Sequence, residues 1–157
     1  MLKRLILIGS IAAGQAAANC TPPYVPVFAC NILTADQRVE ICASQPDEDG
    51  VSNTYTYNFA SGMAISELYF ETEDNRFSTK YYRLGNRPEN TTGIGLVHEN
   101  HVYAAYITGV DGGEVRAAQI HVYDSLPSFE STERETETLR LYCETGTVRV
   151  NWDFIRP

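Results

Sequence analysis

Two apolar segments facing each other across a glycine turn constrain this chain more than any other feature. Val102 to Val110 and Val115 to Tyr123 are rich in β-branched and aromatic residues, and Asp111-Gly112-Gly113 separates them. Such residues suit a pleated, half-buried surface, and glycine supplies the positive φ that a tight hairpin needs. A three-residue loop places Val102, Ala104 and Tyr106 opposite Val122, Ile120 and Ala118. The other face then carries Tyr103, Ala105 and Ile107 opposite His121, Gln119 and Ala117. One face is wholly apolar and the other mixed, as expected of a sheet resting on a core. Gly93 to His98, turning at Glu99-Asn100, supplies the preceding antiparallel strand.

The rest of the chain repeats this grammar. Thr21 to Pro26 is too proline-rich for a central strand, and Val27 to Ile32 reads as an edge strand. Arg38 to Ala43, Thr54 to Ala60, Ala64 to Glu71 and Phe77 to Leu84 read as further strands. In Thr54 to Ala60 the aromatics Tyr55, Tyr57 and Phe59 share one face, a core pattern before it is a sugar-stacking one. Gly85 to Gly93 reads as a loop containing a formal glycosylation acceptor, Asn90-Thr91-Thr92. Ser125 to Thr138 offers only Leu126 and Phe129 as apolar residues, so it reads as an exposed connection with a helical turn paired by Glu130 and Arg134. Leu139 to Cys143 and Thr147 to Trp152 read as a final hairpin around Glu144-Thr145-Gly146. The expected architecture is all-β, an antiparallel sandwich or barrel of about eight to ten short strands.

The first residues indicate export. Lys3 and Arg4, the apolar run Leu5 to Ile8, and Ala16-Ala17-Ala18 are the three parts of a secretory leader. Residues 1–18 are therefore expected to be removed, leaving 19–157 as a single extracytoplasmic domain, periplasmic or secreted. Cys20 would be the lipidated residue of a lipoprotein, but Ala17 and Asn19 match that signal poorly. The apolar run is too short to span a bilayer, and no later candidate exists. Lys3 and Arg4 are two of 12 basic residues, so the exported chain carries 10 against 20 acidic ones, a net of −10 with histidine neutral. That balance argues against nucleic acid and anionic membrane surfaces and is compatible with a cationic partner.

Four cysteines, Cys20, Cys30, Cys42 and Cys143, read as two disulfides in an exported chain. Cys30–Cys42 with Cys20–Cys143 is the preferred of three connectivities. With no C-x-x-C pair, zinc on these thiols is disfavoured.

The order of Cys30, Arg38 to Cys42, Tyr55 to Phe59, Glu67-Leu68 and Gly93-Ile94-Gly95, closed by Leu141-Tyr142-Cys143, resembles a group of small exported proteobacterial proteins. The resemblance implies export and a disulfide-bonded β fold, and carries no activity. This chain departs from the group at its acidic tract 130–137 and at Phe59-Ala60, where glycine more often follows the phenylalanine. Ala60-Ser61-Gly62 is also similar to the inhibitory Ser-Gly loop of periplasmic lysozyme inhibitors of the membrane-bound c-type group. Here Met63 follows Gly62, which departs from their pattern.

Catalytic signals are sparse. His98, His101 and His121, with Glu99 nearby, form the best metal or catalytic set, but not with the H-E-x-x-H spacing of a helical zinc site. No G-x-S-x-G nucleophile elbow and no phosphate-binding glycine loop are present. The acidic loop Ser44 to Asn53 lacks the spaced ligands of a calcium loop. The expectation is a binding or accessory module of the envelope without catalytic activity or cofactor, extending to an inhibitor of a cationic hydrolase. The alternative is a small metal-dependent or hydrolytic enzyme using His98, His101 and His121.

Overall fold

The computed structural model describes residues 20–62, 66–84, 87–109, 114–131, 133 and 135–155. The leader 1–18, Met63, Asp111-Gly112-Gly113 and Arg134, each used in the sequence reading, lie outside the described residues. Ten strands follow in order: β1 (Val25–Asn31), β2 (Gln37–Ala43), β3 (Tyr55–Ser61), β4 (Ser66–Thr72), β5 (Asn75–Leu84), β6 (Arg87–His98), β7 (His101–Gly109), β8 (Val115–Tyr123), β9 (Leu139–Tyr142) and β10 (Arg149–Val150). A single-turn helix, α1 (Leu126–Glu130), sits between β8 and β9. The strands form two five-stranded antiparallel sheets, β10-β1-β2-β3-β4 and β5-β6-β7-β8-β9. Their inner faces share one apolar core, in which Ile41, Tyr57 and Phe70 of the first sheet meet Leu96, Ile107 and Ile120 of the second. The fold is a β-sandwich. No helix among the described residues is long and apolar enough to cross a membrane.

The aromatic face of β3 goes to the core: Tyr55 and Tyr57 are buried and Phe59 packs at the margin. Desolvation of Tyr57 raises its pKa far above the usual phenolic value. Pro26 lies inside β1 and pairs with Cys42. Its missing N–H costs little there, because β10 pairs with β1 only at Phe28 and Ala29. β1 is thus interior to its sheet, not the edge strand expected.

The β7–β8 register differs by one residue from the sequence reading. Val102 pairs with Tyr123, Ala104 with His121 and Ile107 with Ala118. The expected register survives only at Gly109↔Val115, and a bulge between Thr108 and Gly109 leaves Arg116 as the extra residue and shifts every pair beyond it. Gly109 permits the bulge: a Cβ there would lie 2.6 Å from the carbonyl oxygen of Glu114. The shift places Ala105, Ile107, Ala118 and Ile120 on the core face.

The outer face of β7 is also buried. Val102, Ala104, Tyr106, Tyr123 and Phe129 form a second apolar cluster. Phe129 is 3 % exposed, so the 125–138 connection is not simply exposed, as its composition implied. Ser125 caps α1 by accepting from the Ser128 N–H, and the phenyl ring of Phe129 covers Gly95, where a Cβ would meet it at 3.0 Å. The expected loop at 85–93 is also corrected: β6 begins at Arg87 and pairs with β5 from Arg87 to Leu96.

The expected final hairpin does not form. β9 pairs with β8 in the second sheet, whereas β10 pairs with β1 in the first. A 3-10 turn at Thr145–Thr147 carries the chain between the sheets. The disulfides follow from this crossing and are Cys20–Cys42 and Cys30–Cys143, with Cα–Cα distances of 5.9 and 5.7 Å. The expected Cys30–Cys42 bond is excluded by register. Cys30 stands opposite Val39 and Cys42 opposite Pro26. That separates them by about 10 Å or more along the hairpin, beyond the roughly 7 Å a disulfide spans.

Candidate functional site

The sheet geometry disperses the three histidines. His98 and His101 close the β6–β7 hairpin as its last pair, across Glu99 at φ 55° and Asn100. The His98 ring stacks on Phe70 at 4.3 Å, with planes 6° apart. His101 is exposed and lies 6.3 Å from the Tyr103 ring. Burial, then the nearby charge of Glu99, pushes the Tyr103 phenol up. His121 faces the opposite side of the same sheet, fully buried, opposite Ala104. Its Nε2 is 2.9 Å from Gln119 Oε1, which fixes Nε2 as the donor. Its Nδ1 is 3.2 Å from the Tyr123 hydroxyl, itself 3.2 Å from that of Tyr106. Arg140 is the cross-strand neighbour of His121 and donates to Glu137. Burial opposes the charge of Glu137, but its own backbone N–H, Arg140 and the nearby His121 hold the carboxyl below the usual range. This ring of polar groups serves the packing of α1 and β9, and the three histidines do not converge.

Among the described residues, no group of three or more His, Cys, Asp and Glu side chains is placed to hold a metal ion. In the acidic loop, Asp47 Oδ1 accepts from the backbone N–H groups of Val51 and Asp49, and Oδ2 accepts from Asn53. The Val51 bond, then Asn53, draws the Asp47 pKa down. Asp47 is thus committed to shaping its turn. The glycosylation acceptor lies within β6, and its Thr91 is buried against Thr108 Oγ1 at 2.7 Å.

A different region has the shape of a site. The β1–β2 turn and Gly62, just after β3, lie side by side at one end of the first sheet, joined by Gly62 N–H donating to the Asp36 carbonyl at 2.6 Å. The crossing from β9 adds Glu144, whose N–H donates to the Asn31 carbonyl at 2.9 Å. Between them is a cleft of about 280 Å³ lined by Asn31, Ile32, Ala35, Asp36, Arg38 and Glu144, with Gln37 and Gly62 completing the wall. Gly62 is required here. Its φ is 55°, and a Cβ would come within 2.9 Å of Asp36 Oδ2. Thr34 at the tip of the β1–β2 turn has φ 67°, a strained conformation for a β-branched residue.

The charges in the cleft are unequal. Arg38, its one cation, donates through Nη1 to the Gly62 carbonyl, and its Nε lies 3.7 Å from Glu40 Oε1. Glu40 is buried and also accepts from Asn58 at 3.1 Å. Arg38 is therefore neutralised within the fold, whereas Asp36 and Glu144 are exposed. The Cys30–Cys143 bond adjoins both Asn31 and Glu144 and ties the two sheets together at this point. Sequence reading gave Asp36 no role, met Gly62 in the Ser-Gly loop resemblance, and took Glu144 as part of the final turn. Only the correct disulfide pairing, which brings residue 143 to residue 30, could have joined them.

No protein-family model matches the chain, and searches of curated proteins and of solved structures find no match either.

Proposed function

We propose that the chain is an exported binding module, acting in the periplasm or outside the cell on a protein partner and having no catalytic activity of its own. The observation that carries this reading is the acid-lined cleft beside the β1–β2 turn, built on a disulfide-pinned end of the sandwich. Loops held by such a scaffold are where binding residues concentrate. The net charge of the exported chain favours a cationic partner, and an inhibitor of a cationic hydrolase is the specific form this takes. His98 and His121 stand on opposite faces of one sheet, an arrangement that supports the binding reading over the histidine-based alternative.

Affinity capture tests the reading. The disulfide-bonded protein is immobilised and exposed to native envelope and secreted extracts. A saturable, salt-sensitive basic protein is the expected result. Absence of any saturable partner at micromolar concentration would refute it.

A further inference from the structure

We infer that the cleft receives a single arginine side chain projecting from the protein partner. The inference rests on the binding reading above and specifies its chemistry. The cleft holds about 280 Å³ behind a mostly polar lining, which suits a charged side chain better than an apolar ligand. Its polar walls carry two carboxylates, Asp36 and Glu144, with the side-chain amides of Asn31 and Gln37. A guanidinium presents five N–H groups in a planar fork, which suits several acceptors set around one cavity better than an ammonium does. The internal cation does not compete, because Arg38 is engaged by Gly62 and Glu40.

The rim agrees with a protein source for the arginine. Leu33, on the same turn as Ile32 and Ala35, is 51 % exposed. Its N–H donates to the Tyr142 carbonyl at 2.7 Å, so the apolar side chain is carried on a fixed backbone. A free polycation has no use for an exposed leucine, whereas a folded partner can cover it and exclude water from the ion pairs. That exclusion is what makes carboxylate–guanidinium pairs count, since exposed pairs contribute little. The site is also pre-organised. The Cys30–Cys143 bond and the Glu144–Asn31 hydrogen bond hold one acidic wall, and the Gly62–Asp36 hydrogen bond holds the backbone of the other, before any partner arrives.

Two measurements on the disulfide-bonded protein test this. In the first, ¹⁵N-labelled protein is titrated with Nα-acetyl-arginine methylamide, and with spermidine as a free polycation. The arginine probe is expected to shift the amides of residues 31–38, 62 and 144 and to leave the acidic 44–53 loop unchanged. In the second, the partner retained by the wild type is titrated against D36N/E144Q, L33A and the charge-matched control D49N/E114Q. D36N/E144Q is expected to weaken binding by about tenfold or more, L33A by less, and the control not at all. Equal binding by wild type and D36N/E144Q would overturn the cleft and leave the binding reading standing. Loss of binding by the control as well would assign the effect to net charge and overturn the cleft. Tighter binding of spermidine than of the arginine probe at these amides would overturn the protein source. Absence of any saturable partner would overturn the binding reading and this inference together.

Discussion

The two disulfides close loops of very different length, and that difference is measurable. Cys30 and Cys143 are 113 residues apart, and Cys20 and Cys42 are 22 apart. Cross-linking removes loop entropy from the unfolded chain in proportion to the logarithm of loop length. The longer bond should therefore stabilise by about 5 kcal/mol and the shorter by about 3 kcal/mol. Small domains have total stabilities of about 5–15 kcal/mol, so C30A/C143A should leave a marginal fold and C20A/C42A a weakened but intact one. Packing works in the same direction, since Cys30 is 0 % and Cys143 6 % exposed, while Cys20 is only half-buried. Urea titration followed by Trp152 fluorescence, each variant beside the wild type at constant pH, gives the two differences. The reasoning is refuted if C20A/C42A loses as much stability as C30A/C143A. Recovery of a Cys30–Cys42 peptide from a non-reduced digest would contradict the topology itself.

Three further outcomes follow from the packing. His121→Leu removes the partner of both Gln119 and Tyr123 inside a sealed cluster and should cost about 2–4 kcal/mol in the same urea assay, with fold retained. Gly93→Ala places a Cβ 2.5 Å from the buried Tyr106 ring and should cost about 1–3 kcal/mol, whereas Gly146→Ala, with nothing within 4 Å, should change stability by less than about 0.5 kcal/mol. Glu137 titrates below its ordinary 4.5 in the folded state, so its contribution is complete above that pH and disappears as pH falls through the lowered value. E137Q should accordingly flatten the acid limb of stability against pH, and an unchanged limb would show that Arg140 and His121 do not act on this carboxyl.

Strands were legible from their β-branched and aromatic residues, as in β2, β3 and β7, and in β3 the alternation of Tyr55, Tyr57 and Phe59 also named the core face. Their pairing was less legible. One bulge at Thr108 and Gly109 moved a whole hairpin by a residue, and a bulge leaves no periodic signature in a segment apolar on both faces. The same two-sided burial concealed Phe129, which packs on nearby Tyr123 but also over Gly95, distant in sequence. The end of the chain misled for a different reason. Two short alternating segments around a glycine turn look alike whether they pair with each other or with separate sheets. Here Val150 meets Phe28 and Leu141 meets Ile120. The placement of the histidines was not legible, since only the strand pairing puts His98 and His121 on opposite faces.

The crossing that separates β9 from β10 also links stability to the cleft. It brings Glu144 to the β1–β2 turn, and the Cys30–Cys143 bond holds it there. The other disulfide joins the N-terminal segment to Cys42, which stands opposite Pro26 at the far end of the β1–β2 hairpin from that turn. The two bonds should therefore differ in their effect on binding as well as on stability. C30A/C143A frees one acidic wall to move relative to the other, so affinity for the arginine probe should fall by about tenfold even where the chain remains folded. C20A/C42A should leave that affinity unchanged while lowering stability. Measuring both variants well below their unfolding midpoints separates the effects. Equal affinity in the two would mean that the cleft is held by the turns alone, through the Gly62–Asp36 and Glu144–Asn31 hydrogen bonds.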